Sequence, residues 1–342
     1  MKNRTIAFLY NIRRRYPDPN DIRSQKEIDF DDPKTIRRMI KHLQNVVKKV
    51  IPIEADENAY LKLKKNKNRI DLVFNYAEGI NGKDREAHLP AMLEMLQIPY
   101  TGCSPLTCGL ILDKIRCKEI LAAYRIPVLP HQEFTDENQP LDKKLQFPLI
   151  VKPIGQGSSA GITNQSVVCN ENELKKQVRW LKKELHFRAF VEPFLMGREF
   201  SVPMLGNPPD ILPIIEPDHS LLPDKYHHID SLEVKWLFEE TSGGKNYLAC
   251  PAKVSLKLKV KIERICLEAW KALRINDVCR LDIRCDKNEN PYVLEFNFPA
   301  GMIPPEVSLT SYLPLSARAA GISYESLLKR ILSSALNRYE KL

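Results

Sequence analysis

The chain has 342 residues, of which 43% are hydrophobic, so it is longer than one typical domain and can bury a large core. This composition excludes global disorder, and no apolar run approaches the roughly 18 residues that a membrane-spanning helix needs. Only five apolar residues follow the charged start, and the eight cysteines contain no C-x-x-C pair. We therefore expect no secretion signal, reduced thiols and a cytoplasmic protein.

The formal net charge of +9 comes entirely from residues 1–70, which hold 18 Lys and Arg against 9 Asp and Glu. Such an excess indicates either an anionic partner, such as a nucleic acid, or a solvated surface. No helix-turn-helix, RNA-binding or zinc-finger pattern accompanies the charge, so we favour the solvated surface. We expect small-molecule partners, no nucleic acid and no membrane. A homodimer is compatible with the sequence.

The first hundred residues alternate strand and helix patterns. Strands are predicted at 6–10, 50–54 and 69–76. Between the first two, Asp32 is a typical N-cap, Pro33 suits the first helical position, and apolar residues recur every three or four positions. The alternation predicts a doubly wound α/β subdomain with a parallel sheet, which we assign to residues 1–104.

The pattern changes near residue 105, where a helix is followed by shorter strands and turns. We predict strands at 147–153, 162–169, 187–194 and 198–205, and helices at 171–185, 257–273 and 325–338. Residues 206–250 are rich in proline and lack periodicity, which is typical of an active-site lid, with 218–250 as its candidate. We assign residues 105–197 to a central subdomain and 198–342 to a C-terminal one.

A predicted hairpin, CRLDIRC at 279–285 and PYVLEFNF at 291–298, carries an unusual set of polar residues. Strand alternation places Arg280, Asp282 and Arg284 on one face of the first strand. On the second strand, Val293, Glu295 and Asn297 share a face. If Cys285 lies opposite Tyr292, then Asp282 lies opposite Glu295 and Arg280 opposite Asn297. A slip of one residue would set Asp282 against Leu294, so we favour the first register.

Two carboxylates that face each other are destabilising unless a cation lies between them. The oxygen ligands Asp282, Glu295 and Asn297 suit Mg²⁺, which usually takes one or two protein carboxylates together with substrate phosphates. The alternative is a surface hairpin whose charges face water. We favour the metal site because apolar residues flank these positions and because the amide of Asn297 shares the strand face with Glu295.

The segment GQGSSAG at 155–161 connects two predicted strands and follows Lys152. Small residues let backbone N–H groups approach phosphate oxygens, and the hydroxyls of Ser158 and Ser159 can donate to them as well. It is not a Walker A loop, since no G-K-S/T follows and the next element is a strand. Lys152 and Lys114 supply cations at strand and helix ends. Taken alone, such a loop is usually a simple turn and such lysines are usually solvated.

Together these motifs resemble the ATP-grasp superfamily, and most closely its D-alanine–D-alanine ligase branch. The resemblance covers roughly residues 70–338 and follows the family's order, through VFNYAEGINGKDREA, IPYTGCSPLTCGLILDKIRCKEIL, FPLIVKPIGQGSSAGI, FVEPFLMGREFSV, YLACPA, CRLDIR, EFNFPAGM and AAGISYESLLKRIL. It implies an ATP-grasp fold preceded by a doubly wound (preATP-grasp) subdomain. It also implies a ligase that phosphorylates a carboxylate with ATP, after which an amine attacks the acyl phosphate.

The resemblance also implies roles for individual residues. ATP would contact Lys114, Lys152, Gly157, Ser158 and Ser159 at its phosphates, Glu192, Pro193, Phe194 and Leu195 at the adenine, Glu199 at the ribose, and Lys235 from the lid. The ligands of Mg²⁺, or of Mn²⁺, would be Asp282, Glu295 and Asn297. Arg280 and the N–H group of Gly301 would stabilise the oxyanion, and Ser158 belongs to the family's proton-relay set.

The departures from the family pattern lie at the amino-acid sites. Glu78 replaces a histidine, Trp236 replaces a lid tyrosine, and Glu306 stands where a serine receives the carboxylate of the second substrate. Two ionised carboxylates repel each other, so a different amine acceptor is one hypothesis. The other is that the loop bends differently and another group receives that carboxylate. A nucleotide-binding scaffold without ligase activity is a further alternative.

Three histidines near these motifs have two interpretations. His227 and His228 in the lid could assist deprotonation of the amine, since histidine titrates near neutrality. We favour solvated loop positions for both, and a helix-surface position for His88.

Overall fold

The computed structural model describes residues 1–16, 18, 25, 27–235 and 247–340. Its first unit contains β1 (Thr5–Tyr10), α1 (Pro33–Val46), β2 (Lys49–Glu54), α2 (Ala59–Asn66), β3 (Leu72–Asn75) and α3 (Arg85–Met95). The three strands form a parallel sheet in the order β2-β1-β3. The doubly wound arrangement predicted from the sequence is therefore present.

Alternate residues of β1 pack on opposite faces of this sheet, as strand geometry requires. Ile6 and Phe8 lie in one core cluster with α1, whereas Ala7 and Leu9 lie in a second cluster with α2 and α3. Helix α1 begins as predicted, because the Asp32 side chain accepts hydrogen bonds from two backbone N–H groups of its first turn. The bounds of α2 and α3 were not predicted, although a helix-surface position was expected for His88, which lies in α3; α2 has eight residues and α3 contains an internal proline.

The next part of the chain contains α4 (Pro105–Leu112), α5 (Lys114–Ala123), β4 (Gln132–Phe134), β5 (Leu149–Pro153), β6 (Val167–Val168), α6 (Glu171–Glu184) and β7 (Ala189–Pro193). The four strands form an antiparallel sheet in the order β4-β7-β5-β6, against which α6 packs. Asn170 caps α6, as expected. The strand predicted at 162–169 is wrong in extent, since only β6 is a strand and a 3₁₀ turn at Asn164–Ser166 precedes it.

The last part contains β8 (Glu199–Leu205), β9 (Asp210–Ile211), β10 (Glu216–Pro217), β11 (Leu248–Ala249), α7 (Leu256–Ala272), β12 (Val278–Cys285), β13 (Pro291–Asn297), α8 (Tyr312–Ala319) and α9 (Tyr324–Glu340). Its main sheet is antiparallel in the order β13-β12-β8-β9. The candidate lid holds only short elements among its described residues. Trp236 lies in 236–246, outside the described residues.

Two further expectations bear on the whole chain. All eight cysteines are unpaired, and six of them are buried. Within the described ranges no helix has both the length and the apolar character that crossing a membrane requires. The subdomain boundaries at 104/105 and 197/198 stay predictions.

Candidate active site

The hairpin of β12 and β13 has the predicted register at its polar end. Arg280 lies opposite Asn297, and Asp282 lies opposite Glu295. On the other side of β12, strand β8 pairs antiparallel with it. The hairpin strand that carries Arg280 and Asp282 is thus the middle one of three paired strands.

One residue after the two opposed carboxylates, a β-bulge shifts the pairing of the hairpin. Two predictions are wrong for this reason. Cys285 lies opposite Pro291 instead of Tyr292, and Val293 packs into the hydrophobic core instead of sharing a face with Glu295. Leu294 lines the same cavity as Glu295. Beyond the bulge, the residues of β13 that face the site are therefore displaced by one position.

Asp282 lies opposite the carboxylate of Glu295 but has its own counter-charge, the guanidinium group of Arg280. Arg280 donates to it from Nε at 3.0 Å and from Nη2 at 2.9 Å, so the two side chains form a bidentate ion pair. Ser201 Oγ donates at 2.6 Å and Asn297 Nδ2 at 2.8 Å. These four hydrogen bonds fix the carboxylate of Asp282 and orient Arg280 beside it.

Glu295 is held in a cluster of ammonium groups. Lys114 Nζ lies 3.1 Å from Glu295 Oε2 and donates to the carbonyl oxygen of Gln156 at 2.7 Å, which ties it to the 155–161 loop. Burial opposes ionisation of Glu295, but Lys114, Lys152 and Lys235 outweigh it and lower its pKa to about 2. Glu295 is therefore a carboxylate throughout the physiological pH range.

The side chain of Glu192, the first residue of the predicted adenine hinge, pairs with two lysines. Its carboxylate accepts from Lys152 at 3.0 Å and from Lys118 at 2.7 Å, and it is almost completely buried. Lys118 also donates to the carbonyl oxygen of Val293 at 3.0 Å. Sequence analysis missed Lys118. It follows Lys114 by one helical turn on α5, so both lysines lie on the same face of that helix. Glu192 thus positions Lys152 through its side chain.

The 155–161 loop has a backbone that small residues make possible. Ser158 and Ser159 both adopt positive φ angles, of 45° and 60°. A Cβ atom on Gly157 would lie 2.8 Å from Oδ1 of Asp29, so the loop approaches that carboxylate closely. Ser159 Oγ donates to the carbonyl oxygen of Asp230 at 2.6 Å. The Ser159 hydroxyl is therefore engaged with the backbone of the candidate lid, and its contact with a phosphate stays a prediction.

All the residues predicted for the site line one of two adjoining cavities. The first is lined by Lys152, Ser159, Glu192, Pro193, Phe194, Leu195, Glu199 and Asp282, and the second by Lys114, Gly157, Ser158, Asn297 and Gly301. Lys235, Arg280 and Glu295 line both. We call these three residues the shared wall. The two cavities thus meet where the charged groups converge.

Glu199 and Arg284 form an ion pair at one side of the first cavity. Arg284 Nη1 donates to Glu199 at 2.7 Å, and its Nη2 donates to the backbone oxygen of His228. Burial raises the pKa of Glu199, although Arg284 opposes this effect. The same guanidinium lies 5.0 Å from the centre of the Phe194 ring. Arg284 therefore ties the predicted ribose-binding carboxylate to the lid.

A cluster around Asp230, which no sequence pattern indicated, connects separate segments of the site. Asp230 accepts hydrogen bonds from His219 at 2.9 Å, from Tyr247 at 2.7 Å and from Tyr312 at 3.2 Å. Burial opposes ionisation of Asp230, but hydrogen bonding to His219 and the His219 charge lower its pKa. The guanidinium of Arg280 lies 4.9 Å from the centre of the Tyr312 ring. The cluster thus packs the lid against Arg280.

The histidines singled out from the sequence lie elsewhere. His88 and His228 are exposed, and His227 is half-buried. The histidine that is buried beside the first cavity is His219.

Two of the three departures from the family pattern lie within the described residues. Glu78 lines the second cavity, as expected from its place in the sequence. Glu306 does not line it; its carboxylate lies 2.8 Å from Nε2 of His42. This contact favours the hypothesis that the loop bends differently and another group receives the substrate carboxylate; the amine acceptor stays a prediction. The serine beside Gly301 is Ser311, whose hydroxyl accepts from Ile303 N and donates to the Gly301 oxygen.

Comparisons with known proteins identify relatives of this chain. The family model described as "D-ala D-ala ligase C-terminus" matches residues 120–333. A D-alanine–D-alanine ligase of Synechococcus sp. is 30% identical over 92% of this chain and 90% of its own length. An uncharacterised protein, y4sG, of Sinorhizobium fredii is 34% identical over 78% of this chain and 75% of its own. A crystal structure of the D-alanine–D-alanine ligase of Bacillus anthracis complexed with ATP superposes with a TM-score of 0.73 at 25% identity, covering 99% of both chains.

The fold and the charged junction of the two cavities define an ATP-grasp enzyme, an ADP-forming ligase that joins a carboxylate to an amine at the expense of ATP. The chain belongs to the D-alanine–D-alanine ligase family.

Proposed function

We propose that the protein joins two amino acids, or an amino acid and another amine, through an acyl phosphate made from ATP. The observation that carries this proposal is the shared wall, where Lys235, Arg280 and Glu295 face both cavities. A terminal phosphate in the first cavity and a carboxylate in the second would approach each other there. The Synechococcus relative is a ligase of D-alanine by name, so D-alanine is the first substrate to test.

The positions of the side chains support a division of roles. Residues 192–195 and Glu199 would hold the adenosine part of ATP, while Lys114, Lys152, Lys235 and the 155–161 loop would neutralise the phosphates. Phosphoryl transfer needs positioning and charge neutralisation more than a covalent protein nucleophile. This agrees with a site in which four cationic side chains converge on two carboxylates.

The donor atoms of the hairpin fit a divalent ion such as Mg²⁺, with Mn²⁺ as the alternative. Glu295 is ionised, and the amide of Asn297 and the carboxylate of Asp282 lie on the same polar face. Within the described chain no group of three or more His, Cys, Asp or Glu side chains could hold a metal alone. The two carboxylates would therefore share Mg²⁺ with phosphate oxygens, and when bound the ion would supply further neutralisation of phosphate charge.

The proposed reaction has two steps. A carboxylate oxygen attacks the γ-phosphorus and ADP leaves; the amine nitrogen then attacks the acyl carbon, loses a proton and expels phosphate. Arg280 uses Nε and Nη2 on Asp282, so Nη1 is available for the oxyanion, together with the N–H group of Gly301. Such a donor contributes about 3–4 kcal/mol to transition-state stabilisation. Ser158, which lines the second cavity, is proposed as part of the path of the proton.

The test is ADP release with Mg²⁺ and a panel of paired amino acids. Replacing Glu295→Gln should lower the rate by at least about a hundredfold without unfolding the protein. Glu289→Gln is the matched control, since Glu289 lies in the exposed turn of the same hairpin. Full turnover by Glu295→Gln would contradict the proposed role. Nucleotide binding without ADP release for any pair would favour a nucleotide-binding scaffold.

We also propose that the protein acts in the cytoplasm, where ATP is abundant; a homodimer stays a prediction.

A further inference from the structure

The second cavity has an acidic wall opposite the phosphate-binding lysines. The cavity measures about 250 Å³, room for a ligand the size of an amino acid. The carboxyl groups of Asp29, Asp31, Glu78 and Glu86 line it on the side of the N-terminal unit. We call these four residues the acidic wall.

Two members of the acidic wall have partners within the protein. Asp29 pairs with Arg85 at 3.0 Å, and Arg85 also donates to the carbonyl oxygen of Gly155. Asp31 accepts a hydrogen bond from the Tyr76 hydroxyl at 2.8 Å. Their positions are explained by these contacts.

Glu78 and Glu86 differ, because neither carboxyl group makes a hydrogen bond with the described residues. Glu86 is only 8% exposed, and its nearest cation is Arg85 Nη2 at 3.9 Å. Burying a carboxyl group without a hydrogen bond is unfavourable unless another group satisfies it. Burial and the neighbouring acids raise the pKa of Glu78 well above its usual value, although Arg85 opposes them. Burial and the charge of Asp29 raise the pKa of Glu86 to about 8, against the opposing effects of Arg85 and Lys114. At neutral pH without ligand the Glu86 carboxyl group therefore holds a proton.

An amino acid with an apolar side chain brings one ammonium group, and a single carboxylate suffices for it. Two neighbouring carboxyl groups without hydrogen bonds match a side-chain ammonium or guanidinium group that bridges both. We propose that one substrate of the ligase is basic, carrying an ammonium or guanidinium group in its side chain that lies between Glu78 and Glu86. This inference names the substrate class of the proposed function and rests on it.

The inference predicts release of protons on binding. A cation beside Glu86 lowers the pKa of that carboxyl group from about 8, so a proton leaves when the ligand binds near pH 7. Above pH 8 the carboxyl group is already ionised, and the release should disappear. Titration calorimetry in two buffers of different ionisation enthalpy measures this number of protons.

The experiment compares matched ligands on the full chain. Arginine is paired with citrulline and lysine with norleucine, in both enantiomers, because each neutral partner has nearly the same shape. Binding is measured by calorimetry and turnover by ADP release with Mg²⁺. We expect the basic member of at least one pair to bind at least about tenfold more tightly and to release protons. Equal binding of the neutral partners, or no binding of any basic ligand, would overturn the inference.

Variants connect the preference to the acidic wall. Glu86→Gln and Glu78→Gln should keep the fold, since glutamine resembles the protonated acid, and should reduce affinity for the basic ligand to that of its neutral partner. Asp84→Asn is the control, because Asp84 is exposed and its side chain does not cap α3. A Glu86→Gln protein that retains the full preference would refute the assignment.

Different results would refute the proposed ligase activity and the proposed basic substrate. Binding of a basic ligand with proton release but without ADP formation would refute the ligase proposal and leave the acidic wall as its site. ADP formation with neutral amino acids alone would support the ligase and overturn the basic substrate.

Discussion

Replacing Lys118→Met tests the buried ion cluster behind the first cavity. Lys118 is 1% exposed and donates to Glu192 at 2.7 Å and to the carbonyl oxygen of Val293 at 3.0 Å. Removing one partner of a buried ion pair costs about 3–5 kcal/mol. Lys152 still neutralises Glu192, which moderates the loss, while the unpaired carbonyl of Val293 adds about 1 kcal/mol. We expect the free energy of unfolding to fall by about 3–5 kcal/mol in urea denaturation.

Two control variants and a pH series complete this test. Adding Glu192→Gln to Lys118→Met removes the uncompensated charge, so the double variant should recover part of the loss. Arg116→Met, in an exposed side chain of the same helix, should change nothing measurable. Burial opposes ionisation of Glu192, yet Lys118 and Lys152 lower its pKa below the unfolded value of about 4.3. The ionised Glu192 carboxylate thus stabilises the folded protein above the unfolded pKa of about 4.3, and this contribution is lost as pH falls through the lowered pKa.

The difference between Lys118→Met and the unchanged protein should therefore shrink below about pH 4. A destabilisation under about 1 kcal/mol at pH 7, or one that does not depend on pH, would refute the assignment of Lys118 as the structural counter-ion of Glu192.

Three further predictions concern single positions. His42→Ala removes the contacts with Glu306 and Glu325, and because all three side chains are partly exposed we expect under about 1 kcal/mol of lost stability. A released Glu306 carboxylate would repel a substrate carboxylate, so the KM for amino acids should rise, measured by ADP release. Gly157→Ala forces a Cβ to 2.8 Å from Asp29, so nucleotide affinity should fall in a binding titration. Gly109→Ala, inside α4 with only distant neighbours at 4.0 Å, should raise the free energy of unfolding by about 0.5–1 kcal/mol in urea. An unchanged KM, an unchanged affinity or a lower stability, respectively, would contradict them.

The polar end of the hairpin could be predicted because strand alternation and the cost of burying Asp282 against an apolar residue leave one register. The same reasoning failed a few residues further on. A β-bulge inserts one residue without a marker in the sequence, and from there every side chain of β13 changes face. Cys285 and Val293 were misplaced for this reason.

The loop after Gly301 shows a second limit of sequence reasoning. Counting along the chain put Glu306 at the substrate, but the direction of that side chain is decided by His42, far away in sequence on α1. The cluster around Asp230 was missed for a similar reason, since its members come from segments whose meeting depends on tertiary packing. Lys118 could have been found, because it follows Lys114 by one helical turn.

The shared wall has a thermodynamic consequence. Lys235, Arg280 and Glu295 present one set of charges to two compartments, so whatever occupies one compartment changes the electrostatic potential in the other. Nucleotide and amino acid should consequently influence each other's affinity by the same factor, whichever enters first. Because the same three charged side chains line both cavities, each ligand should act as an allosteric effector of the other.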